Sequence, residues 1–505
     1  MNKDSKTVKL IKQNMYKLHR TLGIITIIPV LFWTLSGLMH PLMAHFLKPT
    51  IAHEKLETKQ INASQLKFSV QEVLTINKLD VIKNFRIVSF DNKTFYQIKN
   101  LFGDYQYFDA SNAIELKNGD LKYAEYLSRY FLDDYKSKVV KIELLTEFTS
   151  QYKYINRYLP VYKLTFNRDD AMQIYVETSS SKLATFNPKS RQIFIWVFDN
   201  FHNWAFIDAI SNNYLRIITM LLLLSIISFS AIAGIVIYGF MWKKFKKITP
   251  TDSEGFLRKN HRKIGILVSF LTLTFAFSGG FHATQKWQPN NLPKMIFEPL
   301  INVSDLPIAS TKLNVNNYQL TNISVVKFKK NCYFQCSLFD SETEEKTVVY
   351  INSKLNKLEN IEIDYAKFLV SKFQKMLLDP EKGCCEMDGN DTSTQKFELK
   401  SASILTEFDK REYGFVNKRL PVVRLDFKTN DNLSFYIEPS TSRLAAVVNS
   451  GTRIEGYSFA ILHKFLFMEW AGKNIRDFVT VISVLGILVV SLLGLILFIK
   501  KKNNN

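Results

Sequence analysis

The sequence predicts an α+β membrane protein with four transmembrane helices in two duplicated halves, each half carrying an α+β domain outside the membrane. Three observations support this prediction: four long apolar runs, Lys and Arg beside the short connections, and motifs that recur at a fixed spacing. The chain has 505 residues and a net charge of +20, but its hydrophobic content is only 47%. The membrane-embedded part must therefore be a minority of the chain.

Each apolar run is about long enough to cross a hydrocarbon layer ~30 Å thick, and none has the polar stripe of a soluble surface helix. The predicted segments are a cytoplasmic N-terminus (1–21), a transmembrane helix (22–46), an extracytoplasmic domain (47–213), a second helix (214–242), a cytoplasmic loop (243–264), a third helix (265–285), a second extracytoplasmic domain (286–476), a fourth helix (477–499) and a cytoplasmic tail (500–505).

The basic residues set the expected orientation. They cluster before the first run, in the loop at 243–264 and in the tail at 500–502. Short segments rich in Lys and Arg stay in the cytoplasm. We therefore expect a multi-pass protein of a bacterial inner membrane, with both termini cytoplasmic, the large domains periplasmic and the first run a retained anchor. The surplus charge follows from this topology, and no basic surface with interleaved aromatics suggests nucleic acid.

The first and third runs repeat one another. Both open on His-Arg-x-x-Gly and close on Ser-Gly-x-x-His, with matched positions 242 residues apart. The patterns begin at His19 and His261 and end at His40 and His282. Later matches lie 260 or 261 residues apart, which locates an insertion near 382–400 in the second half only. A half-repeat of this length indicates duplication rather than a solenoid, whose periods are far shorter.

The segments outside the membrane share an α+β pattern. A helix is predicted over 119–136, followed by strands near 139–148, 160–166, 172–177 and 182–187. Both halves then carry Leu-Pro-Val-x-[Lys/Arg]-Leu and Tyr-[Val/Ile]-Glu-x-Ser-[Ser/Thr]-Ser-[Lys/Arg]-Leu, the second motif running over 175–183 and 436–444. These motifs resemble a PepSY domain.

Joined to helices that open on His-Arg-x-x-Gly, the PepSY pattern resembles the PepSY-associated transmembrane family of bacterial iron-regulated membrane proteins, over about 15–500. Characterised members are haem-containing inner-membrane reductases of ferric siderophores. The resemblance therefore implies an oxidoreductase activity in iron uptake, which composition alone does not indicate.

Six of the eight histidines fall into three matched pairs: His19 with His261, His40 with His282, and His202 with His463. Two neutral imidazoles can hold a b-type haem, and the absence of Cys-x-x-Cys-His excludes c-type attachment. His19 and His40 are ~31 Å apart along a helix, so they belong to opposite membrane faces. We expect His40, His202, His282 and His463 to hold two haems b at the outer face. His19 and His261 are candidates for a third haem at the inner face, or polar anchors among lipid headgroups.

Two arginines and four cysteines complete the candidate sites. Arg216 and Arg476, which follow His202 and His463, could pair with haem propionates or with lipid phosphates. Cys332 and Cys336 lie ~13 Å apart on a strand, too far for a disulfide with each other. We expect disulfides from this pair to the vicinal pair Cys384 and Cys385, or alternatively a thiol metal site.

The sequence therefore predicts a membrane haem protein that passes electrons to an extracytoplasmic acceptor, a ferric siderophore or chelate. It carries no nucleotide-binding fingerprint, so electrons must come from a quinol, a separate reductase or an exchanged carrier. Two alternatives stay open: a membrane-anchored PepSY module that binds a peptide or protease, and an accessory subunit of a transporter. The first would lack haem, and a transporter would more often have broken helices at mid-bilayer.

Overall fold

A computed structural model describes residues 3–247, 252–287, 292–306, 319–340, 346–352, 356–358, 361–378, 397–409 and 412–503. The helices are α1 Lys3–Ile25, α2 Ile27–Phe46, α3 Val70–Ile76, α4 Gly119–Leu132, α5 Lys189–Phe201, α6 Phe206–Ile210, α7 Asn213–Lys247, α8 Ser253–Ala283, α9 Ile361–Leu378, α10 Ser450–Ser458 and α11 Gly472–Asn503.

The strands are β1 Val81–Ile82, β2 Asn84–Phe90, β3 Lys93–Lys99, β4 Tyr105–Asp109, β5 Val139–Leu145, β6 Val161–Phe166, β7 Gln173–Glu177, β8 Lys182–Asn187, β9 Ile301–Asn302, β10 Gln319–Phe328, β11 Asn331–Phe339, β12 Lys346–Ile351, β13 Lys357–Leu358, β14 Leu399–Leu405, β15 Val422–Phe427, β16 Ser434–Glu438 and β17 Arg443–Val448. Predicted helix and strand positions in the first half agree with α4 and β5–β8 to within four residues at each end.

The chain divides into two compact units, each described here by itself. The helical unit comprises 1–49, 190–289 and 451–505, and the α+β unit comprises 50–189 and 290–450. The predicted bounds of the extracytoplasmic segments stay a prediction, but 190–213 and 451–476 pack with the helices in the helical unit. The physical reason is aromatic packing: the Phe201 ring lies 5.0 Å from Phe32, and the Trp204 ring lies 5.3 Å from Trp33.

Four helices in the described part of the chain are long and apolar enough to cross a membrane: Ile27–Phe46, Asn213–Lys243, Ser253–Ala283 and Leu466–Lys500. Within the helical unit, α1 packs on α7, α7 on α8, α8 on α11, and α11 on α2. The helix preceding the first span extends back to Lys3 and is interrupted only at Thr26. Pro29 explains this interruption, because it has no N–H to donate to the preceding turn.

The α+β unit is built on one sheet that runs through both halves. Its strand order is β13-β12-β11-β10-β2-β3-β4, and the halves meet where β10 pairs antiparallel with β2, with Ser324 opposite Arg86. The sequence predicts two separate domains in this part of the chain, whereas the structure joins both halves into one unit. Pairing β2 with β10 satisfies backbone groups that would otherwise form exposed sheet edges.

Two smaller sheets, β5-β6-β7-β8 and β14-β15-β16-β17, repeat the same order. Their irregularities also match, since a bulge follows Tyr175 in one and Tyr436 in the other. In each half, the helix between the large and small sheets fills the core that they share. Tyr123 and Leu127 of α4 are buried in the first half, and Tyr365 and Leu369 of α9 in the second.

A buried ion-pair network joins the halves of the α+β unit. Arg419 donates from Nη1 to Glu438 at 2.7 Å and from Nη2 to Glu177 at 3.0 Å, while Lys182 contacts Glu438 at 2.8 Å. Both carboxylates have 0% exposure. Burial alone would raise the pKa of Glu438, but Lys182 and Arg419 hold it well below its ordinary value. The carboxylates are therefore charged, and each depends on its cationic partner.

Candidate haem sites in the helical unit

His19 and His261 face one another at the basic end of the helical unit, which we define by Lys17, Arg20 and Arg262. Their ring centroids are 6.2 Å apart, with the planes inclined by 55°. His19 lies on α1 and His261 on α8, so the pair joins the two helices that carry the repeated motif. The structure thus brings together two residues that sequence reasoning left as either haem ligands or headgroup anchors.

Backbone carbonyl groups next to this pair determine which ring nitrogen carries the proton. His19 Nδ1 lies 2.8 Å from the carbonyl oxygen of Ser230, and His261 Nδ1 lies 3.1 Å from that of Val490. A carbonyl oxygen can only accept, so each Nδ1 must donate. In a neutral imidazole this leaves Nε2 unprotonated, with its lone pair available to a metal. A hydrogen bond of this kind to the second ring nitrogen is the usual companion of a metal-ligating histidine.

Glycine makes room for both imidazoles. A Cβ atom at Gly234 would lie 3.2 Å from Cε1 of His19, and a Cβ atom at Gly494 would lie 3.2 Å from Cε1 of His261. Both distances are tighter than ordinary carbon–carbon contacts of ~3.5–4.0 Å. The two glycines are 260 residues apart, so both halves leave the same space beside the histidine.

A second pair, His202 and His463, lies towards the opposite end. Their centroids are 6.4 Å apart, and the ring planes are almost perpendicular at 89°. Each Nδ1 lies 3.1 Å from a serine hydroxyl, Ser36 for His202 and Ser278 for His463. Both hydroxyls also donate to backbone carbonyls one turn earlier in their own helices. The serine oxygen therefore accepts from Nδ1–H, which again leaves each Nε2 unprotonated.

Burial favours the neutral form of this second pair. It lowers the pKa of His202 to about 3 and that of His463 to about 4, with nearby cations and histidines acting in the same direction. Neutral imidazole is the form that binds a metal. Gly37 and Gly279 lie beside these rings, at 3.8 and 4.0 Å from built Cβ to Cε1. The Ser-Gly dipeptide that closes each repeated helix motif therefore lies beside a histidine of the second pair: Ser36 and Gly37 beside His202, and Ser278 and Gly279 beside His463.

His40 and His282 are related to the second pair through phenylalanine rings. Phe198 stacks on His202 at 4.4 Å and lies 6.2 Å from His40. Phe459 stacks on His463 at 4.7 Å and on His282 at 4.6 Å. The four outer histidines that sequence reasoning treated as equivalent therefore differ in position: His202 and His463 face one another, whereas His40 and His282 lie beside the flanking aromatics.

The surroundings of His40 and His282 also differ. Nδ1 of His282 contacts a carboxylate oxygen of Glu455, which lies on α10. The matched position in the first half is Phe194, whose ring lies 6.4 Å from His40. A carboxylate partner accepts a hydrogen bond from an imidazole and so orients its ring, whereas a phenylalanine ring offers no such acceptor. The surroundings of His40 and His282 are thus chemically asymmetric, and the assignment of both residues as ligands stays a prediction.

The two arginines differ as well. Arg216 is engaged by its own chain, since Nε lies 3.0 Å from Asp208 and Nη1 donates to the carbonyl of Asn203 at 3.2 Å. For Arg476 no side-chain ion pair is found among the described residues. Arg476 lies near Lys464, whose pKa is lowered by burial and then by Arg476. Arg476 is therefore the better candidate of the two for a propionate partner.

The cysteines lie apart from these sites. Cys332 and Cys336 are free, buried thiols in the α+β unit. They contribute to the core on one face of the large sheet, whereas α9 packs against the other face. Their predicted partners, Cys384 and Cys385, lie outside the described residues, so the cross-links stay a prediction. Among the described residues, no cluster of three or more His, Cys, Asp and Glu side chains could hold a metal ion.

His45 and His53, which have no match in the other half, serve local contacts. His45 Nε2 lies 3.3 Å from Asp477, and the His53 ring stacks on Tyr130 at 4.7 Å. Sequence reasoning missed Gly234, Gly494 and Glu455, although the 260-residue spacing of the two glycines was a signal that could have indicated them. No protein-family model matches the chain, and no curated protein matches it significantly.

Proposed function

We propose that this chain is a membrane haem protein that carries electrons across the membrane to a ferric chelate. One observation supports this most: two pairs of facing imidazoles, His19 with His261 and His202 with His463, each donating through Nδ1. In each pair, the two unprotonated Nε2 atoms would hold the haem iron, and the ring centroids lie 6.2 and 6.4 Å apart.

The residues present therefore fit two b-type haems, one held by each pair. When bound, haem supplies reversible one-electron chemistry at its iron. The protein keeps the ligating imidazoles neutral, fixes their ring planes through the Nδ1 contacts and encloses them among apolar helices. The two pairs lie at different positions along the helices. Ser36, which contacts His202, follows His19 by 17 residues, and Ser278, which contacts His463, follows His261 by the same number, about 25 Å of helix.

This arrangement favours a route along the helical unit rather than two cofactors at one face. The sequence left the electron donor open among a quinol, a separate reductase and an exchanged carrier. A pair at each end supports a transmembrane path, with the basic end as the donor side. The PepSY resemblance implies a ferric siderophore as the acceptor, and the expected topology puts that acceptor outside the cytoplasm.

The proposal is tested by spectroscopy of the purified full-length protein after expression with ample haem. We expect about two haems b per chain, both low-spin and both reducible by dithionite. The perpendicular rings of His202 and His463 should give a more anisotropic electron paramagnetic resonance signal than the inclined rings of His19 and His261. A colourless protein would contradict the proposal and leave the anchored peptide-binding module or transporter subunit standing.

Single alanine variants assign the ligands. His19→Ala or His261→Ala should remove the less anisotropic signal, and His202→Ala or His463→Ala the more anisotropic one. The matched control is His45→Ala, which should change neither signal because His45 contacts Asp477 outside both pairs. Retention of both signals in all four ligand variants would refute this assignment.

A further inference from the structure

A cavity opens at the basic end, between α1 and α7. Its volume is about 560 Å³, within the range of ~300–1,000 Å³ typical of small-molecule sites. Tyr16, Arg20 and Thr21 contribute from α1, and Phe240 and Met241 from α7. Tyr16 is 54% exposed and Phe240 is 48% exposed, so the cavity opens to the surface of the helical unit.

The cavity adjoins the basic-end histidine pair along both helices. On α1, Tyr16 lies one turn before His19, and Arg20 follows His19 directly. On α7, the lining residue Ile237 follows Gly234, the glycine against His19, by one turn. A molecule in the cavity would therefore lie within one helical turn of an axial ligand of the proposed haem.

The lining is amphipathic in a specific way. Phe240 and Met241 provide apolar and aromatic surface. Gln13, Tyr16 and Thr21 can accept hydrogen bonds, and the cations Lys17 and Arg20 can donate them. A hydroquinone has two O–H donors on an aromatic ring, and its oxidised form has two carbonyl acceptors. The cavity therefore offers partners to both forms of such a ring.

The second half does not keep these properties. The positions matched to Tyr16 and Thr21 are Arg258 and Lys263, and those matched to Phe240 and Met241 are Lys500 and Lys501. Four lining residues without charge are thus replaced by four cations. The lining of the cavity between α1 and α7 holds two cations, Lys17 and Arg20, so a neutral, lipid-soluble molecule would pay a smaller desolvation cost there than among the additional cations of the second half.

We propose that the cavity between α1 and α7 is the docking site of a membrane hydroquinone, the electron donor of this protein. This rests on the proposed haem function. Oxidation of one hydroquinone to its quinone releases two electrons and two protons. His19 and His261 would hold the haem that accepts these electrons one at a time, and the two electrons would reduce two ferric chelates to the ferrous state. The two protons pass to water at the basic end.

The test uses the full-length haem-loaded protein in vesicles of phosphatidylethanolamine and phosphatidylglycerol, with duroquinol as the probe and haem absorbance as the readout. Thr21→Trp fills the cavity with a large side chain. We expect it to slow reduction by duroquinol by at least about tenfold, because the ring can no longer approach the haem closely. The matched control is Lys263→Trp at the equivalent exposed position of the other half. The haem of this variant should be reduced at the wild-type rate.

Dithionite separates this proposal from the haem function. It should reduce the haem of the wild type and of both variants equally. Equal rates with duroquinol for Thr21→Trp and wild type would overturn the donor site while leaving the haems in place. Failure of duroquinol to reduce a wild-type protein that dithionite does reduce would likewise overturn it, and would indicate that lipid alone fills the cavity. A protein without haem would instead contradict the proposed function.

Discussion

The space that glycine leaves beside His19 gives the sharpest prediction about the basic-end site. In Gly234→Ala, the new Cβ would lie 3.2 Å from Cε1 and 3.4 Å from Nδ1 of the imidazole, so the ring must retreat by a few tenths of an ångström. Metal–ligand distances tolerate deviations of only about 0.2 Å. We therefore expect a weakened axial bond in Gly234→Ala and loss of this haem in Gly234→Leu, which adds a larger side chain in the same place.

The assay is haem content per chain together with electron paramagnetic resonance. Gly234→Leu should hold about one haem and keep only the more anisotropic signal. The matched control is Gly239→Ala on the same helix, where a new Cβ meets no atom within 4 Å. Replacing glycine by alanine within a helix stabilises it by up to about 1 kcal/mol, so the control should unfold no earlier than wild type. Two haems with wild-type signals in Gly234→Leu would show that the space beside His19 is not needed for haem binding.

The remaining predictions concern the α+β unit. Arg419→Met should lower the free energy of unfolding by roughly 3–5 kcal/mol, because Glu177 and Glu438 would stay buried without their shared cation. The depressed pKa of Glu438 contributes stability that is present above the ordinary pKa of 4.5 and is lost as the pH falls towards the folded-state pKa. The free energy of unfolding should therefore fall less steeply on acidification in Arg419→Met than in the wild type. Burial raises the pKa of Cys332 to about 11 and that of Cys336 to about 12, so both thiols should resist alkylation at pH 8 until the protein unfolds.

Matched measurements keep these outcomes interpretable. Lys428→Met removes an exposed partner of Glu398 and should cost less than about 1 kcal/mol. An equal loss in this variant and in Arg419→Met would contradict the role of the buried network. For the cysteines, unfolding in the absence of a reductant should make the Cys332 and Cys336 thiols reactive towards alkylation. Non-reducing peptide maps that link them to Cys384 and Cys385 would instead support the disulfides predicted from sequence.

The sequence predicted the four spans and the small sheets well because these follow from local patterns. Apolar length sets a span, and alternation with turn residues sets each hairpin. The matched spacing also selected the six candidate histidines, whose role as haem ligands stays a prediction. What it could not give was the rotation of one helix against another, which decides that His202 faces His463 while His40 lies beside Phe198.

The pairing of β2 with β10 was equally beyond local patterns. These strands are more than 200 residues apart, and each alone reads as an ordinary half-buried strand. Their contact depends on the closing of a sheet edge, which is a property of the assembled unit. The same holds for Arg419, whose two carboxylate partners come from different halves of the chain.

A haem count combined with electron paramagnetic resonance on the full-length protein tests directly whether the two histidine pairs hold haem. We expect about two low-spin haems b per chain, with one signal lost in His261→Ala and the other lost in His463→Ala. This expectation would be contradicted by a protein that stays colourless when expressed with ample haem, or by one whose two signals both survive in each of these variants.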